Sequence, residues 1–163
     1  MNEFEARKRA LLQPLFVEAG AALLDCQGFE FSVAFLLLHL SRLGIGGLKS
    51  DRVLSILDNT DPRTAGQLVA MLRRHAEVSE SIEAELRDAL MARNYLVHRV
   101  LIDNVESIPS SGARETLVKE IRSLRSKVQI ATKALIRFNE AFSEALDGVD
   151  VRKIELAARE SLS

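Results

Sequence analysis

From Leu117 to Ala145 the apolar residues recur strictly four and three apart: Leu117, Ile121, Leu124, Val128, Ala131, Leu135, Phe138, Phe142 and Ala145. Residues at that spacing share one side of an α-helix, and a repeat of 3.5 residues makes a narrow seam of the coiled-coil kind. The pattern predicts a helix from about Ala113 to Leu146 whose seam packs against an antiparallel partner. After Gly148, the stretch Val151 to Leu162 predicts a short terminal helix.

A second long helix is expected at the other end of the sequence. Phe4, Leu11 and Leu12 suggest a short leading helix over Asn2 to Leu12, interrupted near Pro14. Proline suits the first position of a helix, so Gln13-Pro14 is expected to open the next one. That helix should run to about Leu43 on a stripe of Leu15, Ala19, Ala22/Leu23, Cys26, Val33, Leu37 and Leu40, with Gly44 as its C-terminal cap. Its second half, Val33 to Leu38, has no polar side. A helix that is apolar all round belongs in the centre of a bundle or in a subunit interface, and here a homodimer is expected.

Shorter helices fill the middle. Asp51 to Leu57 is one, and Thr64-Ala65-Gly66-Gln67 has the spacing of a capping box for another that ends near His75. Ser79 is placed to cap a helix carrying Ile82, Leu86, Ala89/Leu90, Leu96/Val97 and Val100/Leu101, ending around Asn104. Glu106 to Gly112 is a polar loop. The fold class is therefore all-α: a bundle of long antiparallel helices with short accessory helices, in a single domain over 1–163.

With 22 basic and 23 acidic residues the net charge is −1, so no global positive field draws in nucleic acid. Lys119, Arg122, Arg125, Lys127, Lys133 and Arg137 read as a solvated helix face rather than an RNA-binding row. Cys26, the one cysteine, reads as a small core residue in a reducing, cytoplasmic setting. The acidic start Met1-Asn2-Glu3-Phe4-Glu5 lacks the apolar region of a signal peptide, and the run from Val33 to Leu40 is too short to span a bilayer, so no membrane is expected. His39, His75 and His98 fall on separate helices without metal-ligand spacing, so neither a metal nor another cofactor is expected. Gly44-Ile45-Gly46-Gly47 lacks the lysine and preceding strand of a phosphate loop and reads as a cap and turn.

One segment carries chemistry: Arg93-Asn94-Tyr95-Leu96-Val97-His98. Asn94 and His98 are four apart and share a helix face, while the long side chain of Arg93, five from His98, can sweep toward them. A guanidinium holds the oxygens of a phosphodiester, and an imidazole moves protons near neutral pH. Glu30 lies within the apolar stripe of the first long helix. It is either a buried carboxylate seeking Arg93 or His98 as partner, or a residue at the stripe's edge in water while Phe29 takes the core position.

Arg93, Asn94 and His98, on a helix of an all-α bundle, resemble the signature of the HEPN family, the higher-eukaryote and prokaryote nucleotide-binding domains. The resemblance implies a homodimeric, metal-independent endoribonuclease of defence or stress response, with two motif helices facing each other in one cleft. It assigns His98 as general base or acid, Arg93 as the group stabilising the phosphorane-like transition state, and Asn94 as an orienting residue. RNA is the implied substrate and a 2′,3′-cyclic phosphate the product. Val100 stands where the toxin branch of the family often has a tyrosine, so the toxin–antitoxin role is not carried over. The alternative is a non-catalytic helical dimer of the same kind that binds a nucleotide or a protein partner.

Overall fold

A computed structural model of the chain describes residues 3–57, 64–76 and 78–160. Among the described residues the regular structure is helical throughout, with no strand. The helices are α1 (Glu3–Arg42), α2 (Ser50–Leu57), α3 (Ala65–His75), α4 (Glu80–His98), α5 (Val100–Asp103) and α6 (Ser111–Glu160), with 3₁₀ turns at Ile45–Gly47 and Val105–Ser107. Asn2 and Leu162, the outer limits expected for the first and last helices, lie outside the described residues.

The chain divides into two compact units, Met1–Phe29 with Glu80–Thr132 and Glu30–Ser79 with Lys133–Ser163, so α1 and α6 each contribute to both. In the first unit the core is Leu15, Ala22, Cys26 and Phe29 of α1, Leu86, Ala89, Ala92 and Leu96 of α4, Val100 of α5, and Leu117, Ile121, Val128 and Ala131 of α6. In the second it is Val33, Leu36, Leu37 and Leu40 of α1, Val53 and Ile56 of α2, Leu68, Val69 and Leu72 of α3, and Leu135 of α6. The all-apolar half of α1 is thus largely buried inside the second unit, where Ser32 and His39 bond Asn139 of α6. Its burial does not by itself require a second copy.

Two expected interruptions are absent. Pro14 lies inside α1 rather than at its start, and Gly148 lies inside α6. A mid-helix proline costs about 3 kcal/mol and a glycine about 1 kcal/mol relative to alanine. Such local costs are outweighed where a long helix keeps an apolar face in the core, as α1 does from Leu15 onward. Conversely α4 stops at His98, short of Asn104, because Arg99 leaves helical geometry at φ −127° and ψ −36° and one further turn, α5, follows. The β-branched Val97, Val100 and Ile102 around that point are weak helix formers and lower the cost of leaving the helix.

The seam of α6 also departs from its expected course. Leu117, Ile121, Val128, Ala131 and Leu135 are buried and Leu124 is half-buried, but then Asn139 replaces Phe138 as the buried residue. A straight helix of 3.6 residues per turn drifts away from a 3.5-residue repeat, and a step of four in place of three restores the facing. The direction of pairing differs too. In the first unit Glu18 meets Arg122 and Arg125, and Asp25, further along α1, meets Arg125 and Gln129. Contacts that advance together mean that α1 and α6 run parallel there, not antiparallel. The helices between them return the chain to the end from which it started.

Several local signals form as expected. Gly44 takes the left-handed conformation, φ 70°, that ends α1. Thr64 Oγ1 accepts from Gln67 N at 3.3 Å while Thr64 N donates to Gln67 Oε1 at 2.9 Å, the reciprocal pair of a capping box. Thr64→Ala is expected to lower stability by about 1 kcal/mol, read as a lower urea midpoint at unchanged slope. An unchanged midpoint would mean that α3 is held by packing alone. Finally, α1 is long and apolar enough, by length and composition, to cross a membrane, and 50% of its most apolar window is buried within the chain. The core helix of a soluble protein has the same length and composition.

Candidate functional site

The site follows from how α4 buries one face. Leu86, Ala89, Ala92 and Leu96 recur three and four apart and face the core of the first unit. Arg93 is then half-buried at the edge of that face, and Asn94 and His98 are exposed. All three side chains meet: Arg93 Nη1 lies 3.1 Å from His98 Nε2 and donates to Asn94 Oδ1 at 3.1 Å. A guanidinium only donates, so this contact is a hydrogen bond when Nε2 is the acceptor, as in the imidazole tautomer that carries its proton on Nδ1. A positive fork and a basic nitrogen are thereby held side by side. Glu30, the fourth candidate, is half-buried on α1 and belongs to the second unit, while Phe29 takes the core position next to it.

The end of α4 fixes what surrounds His98. Arg99 N donates to Tyr95 O and Asp103 N to Arg99 O, and the Arg99 guanidinium closes on the Asp103 carboxylate with Nε at 3.1 and 3.2 Å from its two oxygens. Asn104 Nδ2 donates to Val100 O at 2.9 Å and lies 3.3 Å from Tyr95 Oη, tying the end of α5 back to α4. Beside His98 the turn at Arg99 opens a cavity of about 250 Å³ bounded by α1, α5 and α6.

Two other polar clusters are structural. In the first unit Arg125 bridges Glu18 and Asp25 at 2.7 Å each, Arg122 adds a second 2.7 Å contact to Glu18, and Gln129 donates to Asp25. The arginines expected on the solvated basic face are thus partly neutralised. The hydrogen bond from Arg122, followed by that from Arg125, holds the Glu18 carboxyl below its usual range against the opposing effect of burial.

In the second unit Asn139 Nδ2 donates to Ser32 O at 3.1 Å, which leaves Oδ1 to accept from His39 Nδ1 at 3.2 Å; Phe35 packs edge-on against the His39 ring. His39 is a satisfied core histidine, 3% exposed. Burial lowers its pKa from 6.5, the Asn139 hydrogen bond opposes that shift, and the charge of Arg42 adds to it. Below 6.5 the unfolded chain takes up a proton that the folded chain refuses, so stability is complete above that pH and falls as pH drops toward the lower folded value. A urea midpoint lower at about pH 5.5 than at about pH 7.5, with the difference reduced in His39→Gln, is expected. Equal pH dependence in the two proteins would place the titrating group elsewhere.

Among the described residues no group of three or more His, Cys, Asp and Glu side chains is gathered as a metal site. Sequence reasoning missed the Glu18–Arg125–Asp25 network, although Glu18 and Asp25, seven apart, both sit at helical spacing on the stripe of α1 and could have been marked as carboxylates needing cations. It missed the role of Asn139, whose position four after Leu135 was the available clue. Compared with known protein families, curated proteins and solved structures, the chain matches none of them.

Proposed function

We propose that the chain is a cytoplasmic, metal-independent endoribonuclease of the HEPN kind that acts as a homodimer, in defence or stress response. The observation that carries this reading is the contact of Arg93 Nη1 with His98 Nε2 at 3.1 Å on an exposed helix end, with Asn94 bound to the same nitrogen. Exposed apolar side chains in the same unit, among them Phe16, Val17 and Leu24 of α1 and Ile102 of α5, support a self-associating surface.

The resting contact suggests how the residues work. A phosphodiester draws the guanidinium of Arg93 into charge-assisted hydrogen bonds stronger than its bond to a neutral imidazole. That move releases Nε2 of His98 to accept the proton of a ribose 2′-hydroxyl. The 2′-oxygen attacks phosphorus, Arg93 stabilises the charge gathering on the phosphoryl oxygens, and the bond to the 5′-oxygen breaks. The leaving oxygen takes a proton from an imidazolium, which two copies of His98 in one cleft would supply. The products are a 2′,3′-cyclic phosphate and a 5′-hydroxyl end. Asn94, holding Arg93 through Oδ1, keeps its two amide hydrogens for the phosphate or the ring.

The test is incubation of a mixed RNA pool with the full chain in EDTA, with the ends of the products identified and sedimentation run in parallel. Cleavage that leaves cyclic phosphate ends and disappears in folded His98→Ala is expected from a dimer. A folded wild-type chain that leaves the pool intact, or cleavage that survives His98→Ala, would overturn the reading and favour the non-catalytic binding module.

A further inference from the structure

We propose that the cavity beside His98 seats a single nucleobase and thereby sets the nucleotide at which RNA is cut; the second half of this statement rests on the ribonuclease reading above. The cavity lies wholly in the first unit. Its walls are apolar, supplied by Ala19 and Leu23 of α1, Val97 at the end of α4, Ile102 of α5 and Ile121 of α6, with His98 at one side. At about 250 Å³ it falls below the roughly 300–1,000 Å³ of sites for drug-sized ligands, and so fits one ring system rather than a whole nucleotide.

Its charge points to the same class of ligand. Arg99 is the other ionisable residue of the lining, and its guanidinium is closed on Asp103 at 3.0–3.2 Å. Arg93, the proposed phosphate-binding group, is not part of the lining and meets His98 at its Nε2. Apart from His98 and the ion-paired Arg99 the lining is apolar, which suits the face of a base and not a phosphate. Position supplies the third argument. His98 belongs to both the reacting cluster and the cavity wall, so a phosphodiester held at Arg93 has its own base within one nucleotide of the slot. Single-stranded RNA is read by splaying out such bases and packing them between apolar or aromatic side chains.

Two small residues, Ala19 and Ala22, keep the slot open on the α1 side. Leucine at position 19 would occupy it. Ile102, 71% exposed at the rim, gives a second handle that does not depend on repacking a core.

The experiment uses the full chain and the four ribonucleosides, which carry no phosphate, with binding followed by NMR shifts of the cavity-lining methyl groups. At least one nucleoside is expected to shift the Ala19, Val97 and Ile121 signals in the wild type and in Arg93→Ala. Both Ala19→Leu and Ile102→Asp are expected to weaken that binding by about tenfold or more. Absence of any shift at those methyls, or equal binding by both variants, would overturn the proposal. So would a change confined to self-association, because the slot would then hold a side chain of a second copy. Cleavage patterns separate the two readings. RNA cut without base preference removes the base slot and leaves the ribonuclease, whereas nucleoside binding by a chain that cuts no RNA removes the ribonuclease and leaves the slot.

Discussion

On the proposed ribonuclease reading, alanine in place of His98 is expected to slow RNA cleavage by about 10²–10⁴-fold, the range that a positioned acid or base contributes. Arg93→Ala should lower the rate by about 10²–10³-fold, as loss of one donor to a developing oxyanion does. Arg93→Lys keeps the charge but not the planar fork that reaches His98, Asn94 and a phosphate together, so it should restore only part of the loss. The two residues are in contact at 3.1 Å, and their effects should therefore not multiply. Single-turnover rates for wild type, both single variants and the double variant check this, with thermal melts showing that each remains folded. Strictly multiplicative losses would mean that Arg93 and His98 act independently and that their contact plays no part in the reaction.

Arg125→Met is expected to be the most damaging single change to the ion network of the first unit. It leaves Asp25 with its hydrogen bond from Gln129 but no cation, and Glu18, 9% exposed, with Arg122 alone. Removing one partner of a fully buried pair costs about 3–5 kcal/mol; these groups keep some contact with solvent, so about 2–3 kcal/mol is expected. Replacing Glu18, Asp25 and Arg125 together by leucine should cost much less, since the one charge then left without its partner, Arg122, is 61% exposed to solvent. The pH dependence has a definite sign. The Glu18 carboxyl is held below 4.5 chiefly by its hydrogen bond from Arg122, so its contribution is present above that pH and is lost as pH falls through the lowered value. Denaturation midpoints for the single and triple variants, measured near neutral pH and again in acid, decide the matter. A triple variant as unstable as Arg125→Met would show that leucine cannot pack in those positions.

Much of this architecture was legible locally. The Thr64–Gln67 box, the cap at Gly44 and the buried stripe of α1 each depend on residues within a few positions of one another, and each formed where expected. The reach of Arg93 to Asn94 and His98 was legible for the same reason, because five residues of helix fix their separation. What was not legible depends on distant partners or on a balance of small terms. Pro14 is tolerated because of packing contributed by helices remote in sequence. Asn139 is buried because Ser32 and His39 receive it, and no rule of spacing names those partners. The parallel course of α1 and α6 was hidden because a 3.5-residue seam has the same pattern in either direction. The cavity beside His98 arises from the turn at Arg99, where helix propensity is nearly indifferent.

The parallel pairing has a kinetic corollary. The bonds that join Glu18 and Asp25 to α6 span 100 to 107 residues of chain. Helical proteins usually fold fast because their contacts are local, and closing a long loop must be accomplished before distant contacts reward it. Here α2, α3 and α4 lie between the two partners. Individual helices can form early, but α1 finds α6 only after the last of them has been made, so during synthesis the side of α1 that pairs with α6, including Glu18 and Asp25, waits for its partner until α6 emerges.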